Sequence, residues 1–105
     1  MTNMSEECSA LRARFARGFM DLTVLRILSG EALWRYRLMS LLEERYGVKV
    51  GPSVIYPLLD SMQADGLIES EETLVGRRAR KVYRPTKKGL EQLRCLQSVL
   101  AEFTG

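Results

Sequence analysis

The sequence predicts a mainly α-helical fold with a two-stranded β-wing, the winged helix-turn-helix class, extended by a helix at each end. Apolar residues recur at helical spacing in three segments before Gly66. The pattern then changes to two short strand-like runs around Gly76, and a last helical segment follows. The 105 residues fit one domain. We divide the chain into a helical arm (1–17), a winged helix-turn-helix domain (18–85) and a C-terminal dimerisation helix (86–105).

Two helices are expected within residues 5–29, separated near Gly18. Ser5 is predicted to be the N-cap of the first helix, because a serine oxygen accepts hydrogen bonds from the free N–H groups of a first turn. The second segment is strongly apolar from Leu22 onward, as in a helix at the centre of a domain. Gly30 predicts its end.

The helix-turn-helix is predicted from the next two segments. A helix over residues 32–46 should end at Gly47, and residues 48–50 form a short link or an abbreviated strand. The helix that follows occupies the stretch 51–66, with Pro52 at its first position.

This third helix of the winged domain has one apolar face and one face of hydroxyls and a tyrosine. Gly51 is its predicted N-cap and Gly66 its C-terminal glycine. Pro57 lies past the first turn, where proline removes a hydrogen bond. The sequence leaves open whether the helix is kinked there or irregular in its first turn.

The wing is predicted as two strands, residues 67–72 and 81–85, joined by a long mobile tip. Thr86 should cap the last helix, which extends to about residue 103. Four apolar residues of that helix have 3-4-3 spacing and form a coiled-coil-like seam, for which we expect a partner helix. The seam consists of Leu93, Leu96, Leu100 and Phe103.

Composition excludes several function classes. The chain has no histidine and only two distant cysteines, Cys8 and Cys95, so zinc, haem and histidine-based catalysis are not expected. We predict no cofactor and no enzyme activity. The cysteines are interpreted as reduced thiols, since a disulfide would require the terminal helices to meet. No apolar run approaches a membrane span, and Glu6 and Glu7 do not fit a signal peptide, so a cytoplasmic protein is predicted.

Charge is segregated along the chain, which the net charge of +3 conceals. Charged residues are all acidic over 60–72 and all basic over 77–88. A basic hairpin beside a helix of groove size suits phosphate neutralisation. The third helix lacks the usual base-reading side chains in its first turns, so its sequence reading should be modest. The predicted nucleic-acid contacts are Lys49, Ser53, Tyr56, Arg77, Arg78, Arg80 and Lys81.

Two aromatic assignments stay open. Tyr56 either contacts DNA or packs against the wing. Trp34 and Tyr36 either line a flat pocket for an aromatic ligand at a dimer interface or belong to ordinary packing, which aromatic residues at helical spacing favour.

Three stretches carry a family resemblance: GFMDLTVLRIL (18–28), VGPSVIYPLLDSMQADGLI (50–68) and VYRPTKKGLEQL (82–93). The chain resembles the PadR family of transcriptional regulators, especially its short members with a single C-terminal helix. The resemblance implies a homodimer formed mainly through the last helix. It also implies that the third helix and the wing bind an inverted repeat near a promoter. Many members are repressors released by small, often aromatic compounds.

Two features depart from the family pattern. The family often has Tyr-Gly-Tyr where this chain has Trp34, Arg35 and Tyr36, which puts an effector pocket in doubt. The N-terminal arm is longer than the pattern needs and is expected to add to the dimer interface.

These observations predict a dimeric, sequence-specific DNA-binding transcriptional regulator, a repressor. One alternative is a winged-helix protein-interaction module without a DNA target, supported by the acidic run. Another is a weakly specific architectural DNA-binding protein, supported by the scarcity of base-reading side chains.

Overall fold

The computed structural model describes residues 4–104. Residues 1–3 of the predicted arm and residue 105 lie outside the described residues. The fold class is confirmed: a helix-turn-helix (α3 and α4) is followed by a β-hairpin wing (β2 and β3). The elements in chain order are α1 (Met4–Gly18), α2 (Met20–Gly30), β1 (Leu33–Trp34), α3 (Arg35–Tyr46), α4 (Pro52–Ala64), β2 (Ile68–Val75), β3 (Arg78–Pro85) and α5 (Lys87–Thr104).

Helix α2 forms the centre of the core, as its apolar composition predicts. Its residues Val24, Leu25, Ile27 and Leu28 are at most 2% exposed. They pack with buried side chains of α3, α4 and the sheet, including Tyr83 of β3. One continuous core therefore joins the helix-turn-helix to the wing.

The boundary between α1 and α2 lies at Gly18, as predicted, and Thr23 stabilises it. The Thr23 hydroxyl is hydrogen-bonded to the backbone oxygens of Ala16 (3.2 Å) and Phe19 (2.8 Å), which ties the end of α1 to the start of α2. The prediction that Ser5 caps α1 is wrong, because the helix already includes Met4.

The prediction of helix over residues 32–34 is also wrong. Leu33 and Trp34 form β1, which pairs antiparallel with Tyr83 and Val82 of β3. The sheet therefore has three strands in the order β1-β3-β2. Pairing with a distant strand and burial of Leu33 override the local helical pattern. Residues 48–50 form a link without strand structure.

Helix α3 ends as predicted at Gly47, which adopts a left-handed conformation (φ 69°). Helix α4 has Gly51 at its N-cap and Pro52 in its first turn, as predicted. The helix continues without interruption through the exposed Pro57. Its buried face consists of Ile55, Leu59 and Met62.

The C-terminus of α4 forms a Schellman motif around Gly66 (φ 75°). The Gly66 N–H donates to the Gln63 oxygen (3.0 Å), and the Leu67 N–H donates to the Met62 oxygen (2.9 Å). The chain thereby turns directly from α4 into β2.

The predicted long tip of the wing is wrong. Strands β2 and β3 continue to Val75 and Arg78, which pair directly, so only Gly76 and Arg77 form the turn. Gly76 has a φ of 67°, the sign that a type II′ turn requires at its first central residue. The arginines are thus held on a regular hairpin.

Helix α5 begins at a joint with the end of α4, which we call the α4–α5 joint (residues 65–67 and 86–89). Thr86 is the N-cap, as predicted: its hydroxyl oxygen accepts from the Gly89 N–H (3.1 Å) and its hydroxyl donates to the Gly66 oxygen (2.6 Å). The Thr86 N–H donates to the Leu67 oxygen (3.0 Å). Gly89 is required because a Cβ there would lie 2.1 Å from the Leu67 oxygen.

Candidate nucleic-acid interface

The outward face of α4 is short and mostly uncharged. Ser53 and Pro57 are exposed, and Lys49 is exposed in the link before the helix. Val54, which is 50% exposed, also lies on this outward side and was not predicted as a site residue. The sequence feature that could have identified Val54 is its position next to Ile55, at the edge of the buried face. An exposed valine in this position suits apolar contact with a thymine methyl group.

Tyr56 is half-buried and packs against the core, and its neighbours include Arg35 and Tyr36 at the start of α3. The guanidinium carbon of Arg35 lies 4.0 Å from the centre of the Tyr56 ring. A hydrogen bond with the Tyr36 side chain raises the pKa of Tyr56, because the bond favours the protonated hydroxyl, while Arg35 acts in the opposite direction.

The wing arginines occupy two environments. Arg77 and Arg78 are exposed at the turn. Arg80 is half-buried, with its guanidinium carbon 5.8 Å from the Trp34 ring centre, within the range of a cation–π contact. Lys81 alternates to the other face of β3, where its ammonium lies 5.6 Å from the Tyr83 ring. The predicted basic cluster is therefore divided between two faces.

The acidic and basic runs meet across the hairpin. Glu69 pairs in register with Arg84, and Glu72 with Lys81. Arg84 also forms an ion pair with Glu71. Beyond this region the β2 residues that oppose β3 are Thr73, Leu74 and Val75, which carry no charge. The base of the wing is consequently charge-compensated, whereas its tip is positive.

The segment Trp34–Tyr36 connects the tip side of the wing to α4. Trp34 contacts Arg80, while Arg35 and Tyr36 contact Tyr56. Arg35 was not predicted as a site residue, although its replacement of the family's glycine was visible in the sequence. One surface therefore includes α4, the start of α3 and the wing.

Comparison with known proteins identifies the family. The family model described as "Transcriptional regulator PadR-like family" matches residues 24–95, from the core of α2 to the middle of α5. The chain belongs to the PadR-like family of transcriptional regulators. The resemblance drawn from the sequence is thus confirmed, and the family is one of regulators rather than enzymes.

Individual relatives of this PadR-like regulator agree. It is 42% identical over 65 residues to transcriptional regulator Rv3488 of Mycobacterium tuberculosis, a match that covers 58% of this chain and 61% of that protein. A crystal structure of a PadR-like transcriptional regulator (BC4206) from Bacillus cereus is 32% identical, with a TM-score of 0.78 over 87% of this chain and 89% of the other. Bacillus subtilis PadR in complex with operator DNA is 26% identical, with a TM-score of 0.67 over 75% of this chain and 46% of the other.

The predicted effector pocket of the PadR-like chain is small. Trp34 and Tyr36 line a cleft of about 130 Å³ together with Arg35 and residues 79–81 of the wing. Sites for small molecules usually enclose about 300–1,000 Å³. Within a single chain, Trp34 lies beside Arg80 and Tyr36 beside Tyr56.

A second surface of the PadR-like chain is apolar and lies on α1, α2 and α5. Two clefts of about 420 and 470 Å³ are lined mainly by apolar side chains of these helices. Phe15, Phe19 and Phe103 line them while remaining 41%, 46% and 81% exposed. Leu96 and Leu100 of the predicted seam are half-buried and line the same region, whereas Leu93 is only 8% exposed and packs in its own domain's core.

Cys8 and Cys95 are exposed, unpaired thiols that line different clefts of this surface. Within residues 4–104, no group of three or more cysteine or acidic side chains has the arrangement of a metal site. Over the same residues, the helices are too short or too polar to cross a membrane.

Proposed function

We propose that the protein is a dimeric, sequence-specific transcriptional repressor that binds an inverted-repeat operator with α4 and the wing of each subunit. The observation that carries the proposal is the continuous surface from the exposed side of α4, through Trp34–Tyr36, to the arginines of the wing tip. The likeness to Bacillus subtilis PadR, solved with operator DNA, supports the same role for this surface. As a regulator of promoters, it is proposed to act in the cytoplasm.

The dimer is proposed from the apolar surface of α1 and α5. Side chains such as Phe103, 81% exposed, favour burial against a second copy. Residues 1–17 then act as an arm of the interface, residues 18–85 as the DNA-binding domain and residues 86–105 as the dimerisation helix. A two-fold dimer presents two identical DNA-binding surfaces, which fit two inverted half-sites. The repressor role follows from the family resemblance.

The cleft at Trp34 and Tyr36 of a single chain is small for an effector, so an effector pocket there would need residues of a second copy. The wing also weakens the case for a protein-interaction module. The acidic run of β2 is opposed by Lys81 and Arg84 and does not form an uncompensated acidic patch there. The architectural alternative rests on the sparse base-reading groups of α4 and is decided by the sequence dependence of binding.

The test is DNA affinity as a function of salt for the triple variant Arg77→Ala, Arg78→Ala, Arg80→Ala. Each lost phosphate contact lowers the slope of log affinity against log salt by about 0.9, so we expect a slope smaller by about 2 to 3. Arg45→Ala is the control, because Arg45 lies at the opposite end of α3 from Arg35. It should leave the slope unchanged.

The outcomes separate the alternatives. Unchanged affinity in the triple variant would contradict the role of the wing. A wild-type protein that binds no DNA at low salt favours the interaction module. Equal affinity for a footprinted promoter site and a scrambled duplex indicates an architectural protein.

A further inference from the structure

Helix α4 lacks the cationic side chains that usually accompany DNA binding. The helix contains no lysine or arginine, and Asp60 is its only charged residue. A positive charge nevertheless lies against it, because the Arg35 guanidinium is stacked 4.0 Å from the centre of the Tyr56 ring. Arg35, the first residue of α3, thus supplies the positive charge that α4 lacks.

We propose that Arg35 is a DNA phosphate contact, positioned by Tyr56, that serves the α4 side of the interface. The inference rests on the proposed DNA-binding function and deepens it. The family often has glycine where this chain has Arg35.

Arg35 is available for an external anion. Among residues 4–104, no carboxylate forms an ion pair with it, unlike Arg37 and Arg84, which pair with Glu44 and Glu71. The first turn of α3 contains no acidic residue that would compete for the guanidinium or repel a phosphate. Half-burial leaves part of the side chain accessible to solvent.

The stacking arrangement suits a phosphate ligand. A guanidinium that lies over an aromatic ring uses its face for the ring and retains its N–H donors, which point outward from its edge. Tyr56 is half-buried and packs against the core, so its ring offers a fixed surface to the guanidinium. The guanidinium is therefore oriented before DNA arrives, which lowers the entropy cost of fixing a long side chain.

Phosphate is favoured over a base edge by the location in the motif. Arg35 is the first residue of α3, and α3 is the first helix of the helix-turn-helix. In helix-turn-helix proteins this helix crosses the DNA backbone, while the second helix enters the major groove. The free N–H groups of the first turn of α3 lie at the same end and also favour an anion.

The experiment compares Arg35→Ala with Arg37→Ala, its control on the same helix, on a footprinted promoter duplex and on a scrambled duplex. A lost phosphate contact should make the slope of log affinity against log salt shallower by about 1, equally on both duplexes. Between about 50 and 200 mM salt, the wild-type affinity should then fall about three- to fourfold more than that of Arg35→Ala. Arg35→Lys should restore the slope because it restores the charge.

Positioning by Tyr56 is tested in a double-mutant cycle with Tyr56→Leu. The ring's removal should weaken binding less in the Arg35→Ala background than in the wild type, because part of its effect acts through Arg35. Strictly additive losses overturn the positioning role. Melting curves of each variant establish that the fold is retained.

Each failure has a distinct signature. If Arg35→Ala matches the wild type while the wing variant loses affinity, this inference is wrong and the proposed function stands. A loss confined to one base pair of the promoter site assigns Arg35 to base reading and overturns the phosphate contact. If the wild type binds neither duplex, the proposed function fails instead.

Discussion

Gly89→Ala tests the α4–α5 joint directly. The added Cβ would lie 2.1 Å from the Leu67 backbone oxygen and 2.9 Å from the Cδ2 atom of Leu25. Ordinary van der Waals contacts begin at 3.4 Å, so α5 must move about 1.3 Å away from Leu67. The oxygen belongs to the backbone and cannot rotate out of the way.

The free-energy cost of this movement follows from the geometry of the α4–α5 joint. It would lengthen the hydrogen bonds from Thr86 to the Leu67 oxygen (3.0 Å) and the Gly66 oxygen (2.6 Å), each worth about 0.5–1.5 kcal/mol. Overpacking against Leu25 adds about 1–3 kcal/mol. The higher helix propensity of alanine returns at most about 1 kcal/mol. The expected loss of unfolding free energy is about 2–4 kcal/mol.

Thermal unfolding followed by circular dichroism measures the effect, at one fixed protein concentration because the proposed dimer would make the Tm depend on concentration. A loss of this size should lower the Tm by about 10–20 °C. Gly30→Ala is the matched control, since nothing lies within 4 Å of a Cβ at this residue of α2. A Gly89→Ala protein that melts within about 2 °C of the Gly30→Ala protein would refute the reasoning.

Two further predictions concern the apolar surface and Tyr56. Leu96→Glu combined with Leu100→Glu should convert the proposed dimer to monomers in sedimentation experiments. Gln97→Glu, which places charge outside the clefts, should not. An intact dimer in the double variant contradicts the proposed interface. Tyr36→Phe should lower the pKa of Tyr56 towards its usual value of about 10, visible in a tyrosinate absorbance titration. Because the folded-state pKa of Tyr56 is raised, the contribution of Tyr56 to stability is complete below about pH 10 and is lost at more alkaline pH. Tyr36→Phe should reduce this loss. An unchanged Tyr56 titration in the variant contradicts the role of the hydrogen bond.

Local signals predicted the parts of the fold that local chemistry determines. Gly51 and Gly66 marked the ends of α4, and Thr86 marked the start of α5, because caps and C-terminal glycines act within a few residues of themselves. The pattern also predicted the buried face of α4.

Where the structure differs from the prediction, the cause is contact between residues that are distant in the sequence. Strand β1 has only two residues, so its periodicity carries no information, and its pairing with β3 spans half the chain. The wing turn was expected to be long, yet the strands pair through Thr73–Arg80, Leu74–Ala79 and Val75–Arg78 up to a two-residue turn. Leu93 fits the seam spacing equally well whether it faces a partner or its own core.

The sequence predicted which kinds of residue the site contains, but not which of them contact each other. The wing arginines were visible as a charge run. The stacking of Arg35 on Tyr56 joins residues 21 positions apart on different helices, and sequence spacing does not encode it. The sequence showed only that arginine replaces a glycine of the family pattern.

Strand β1 has a mechanical consequence. Leu33 and Trp34 pair with β3 of the wing and lead directly into α3, so the sheet joins the helix pair to the wing. We expect this link to restrict the spacing between the proposed DNA contacts, so that a mismatch with a duplex is absorbed by bending or groove narrowing of the DNA. The energy of that distortion depends on base-pair steps that no side chain touches. Flexible steps between the contact points should thus contribute to operator choice, even though α4 has few groups with which to read bases.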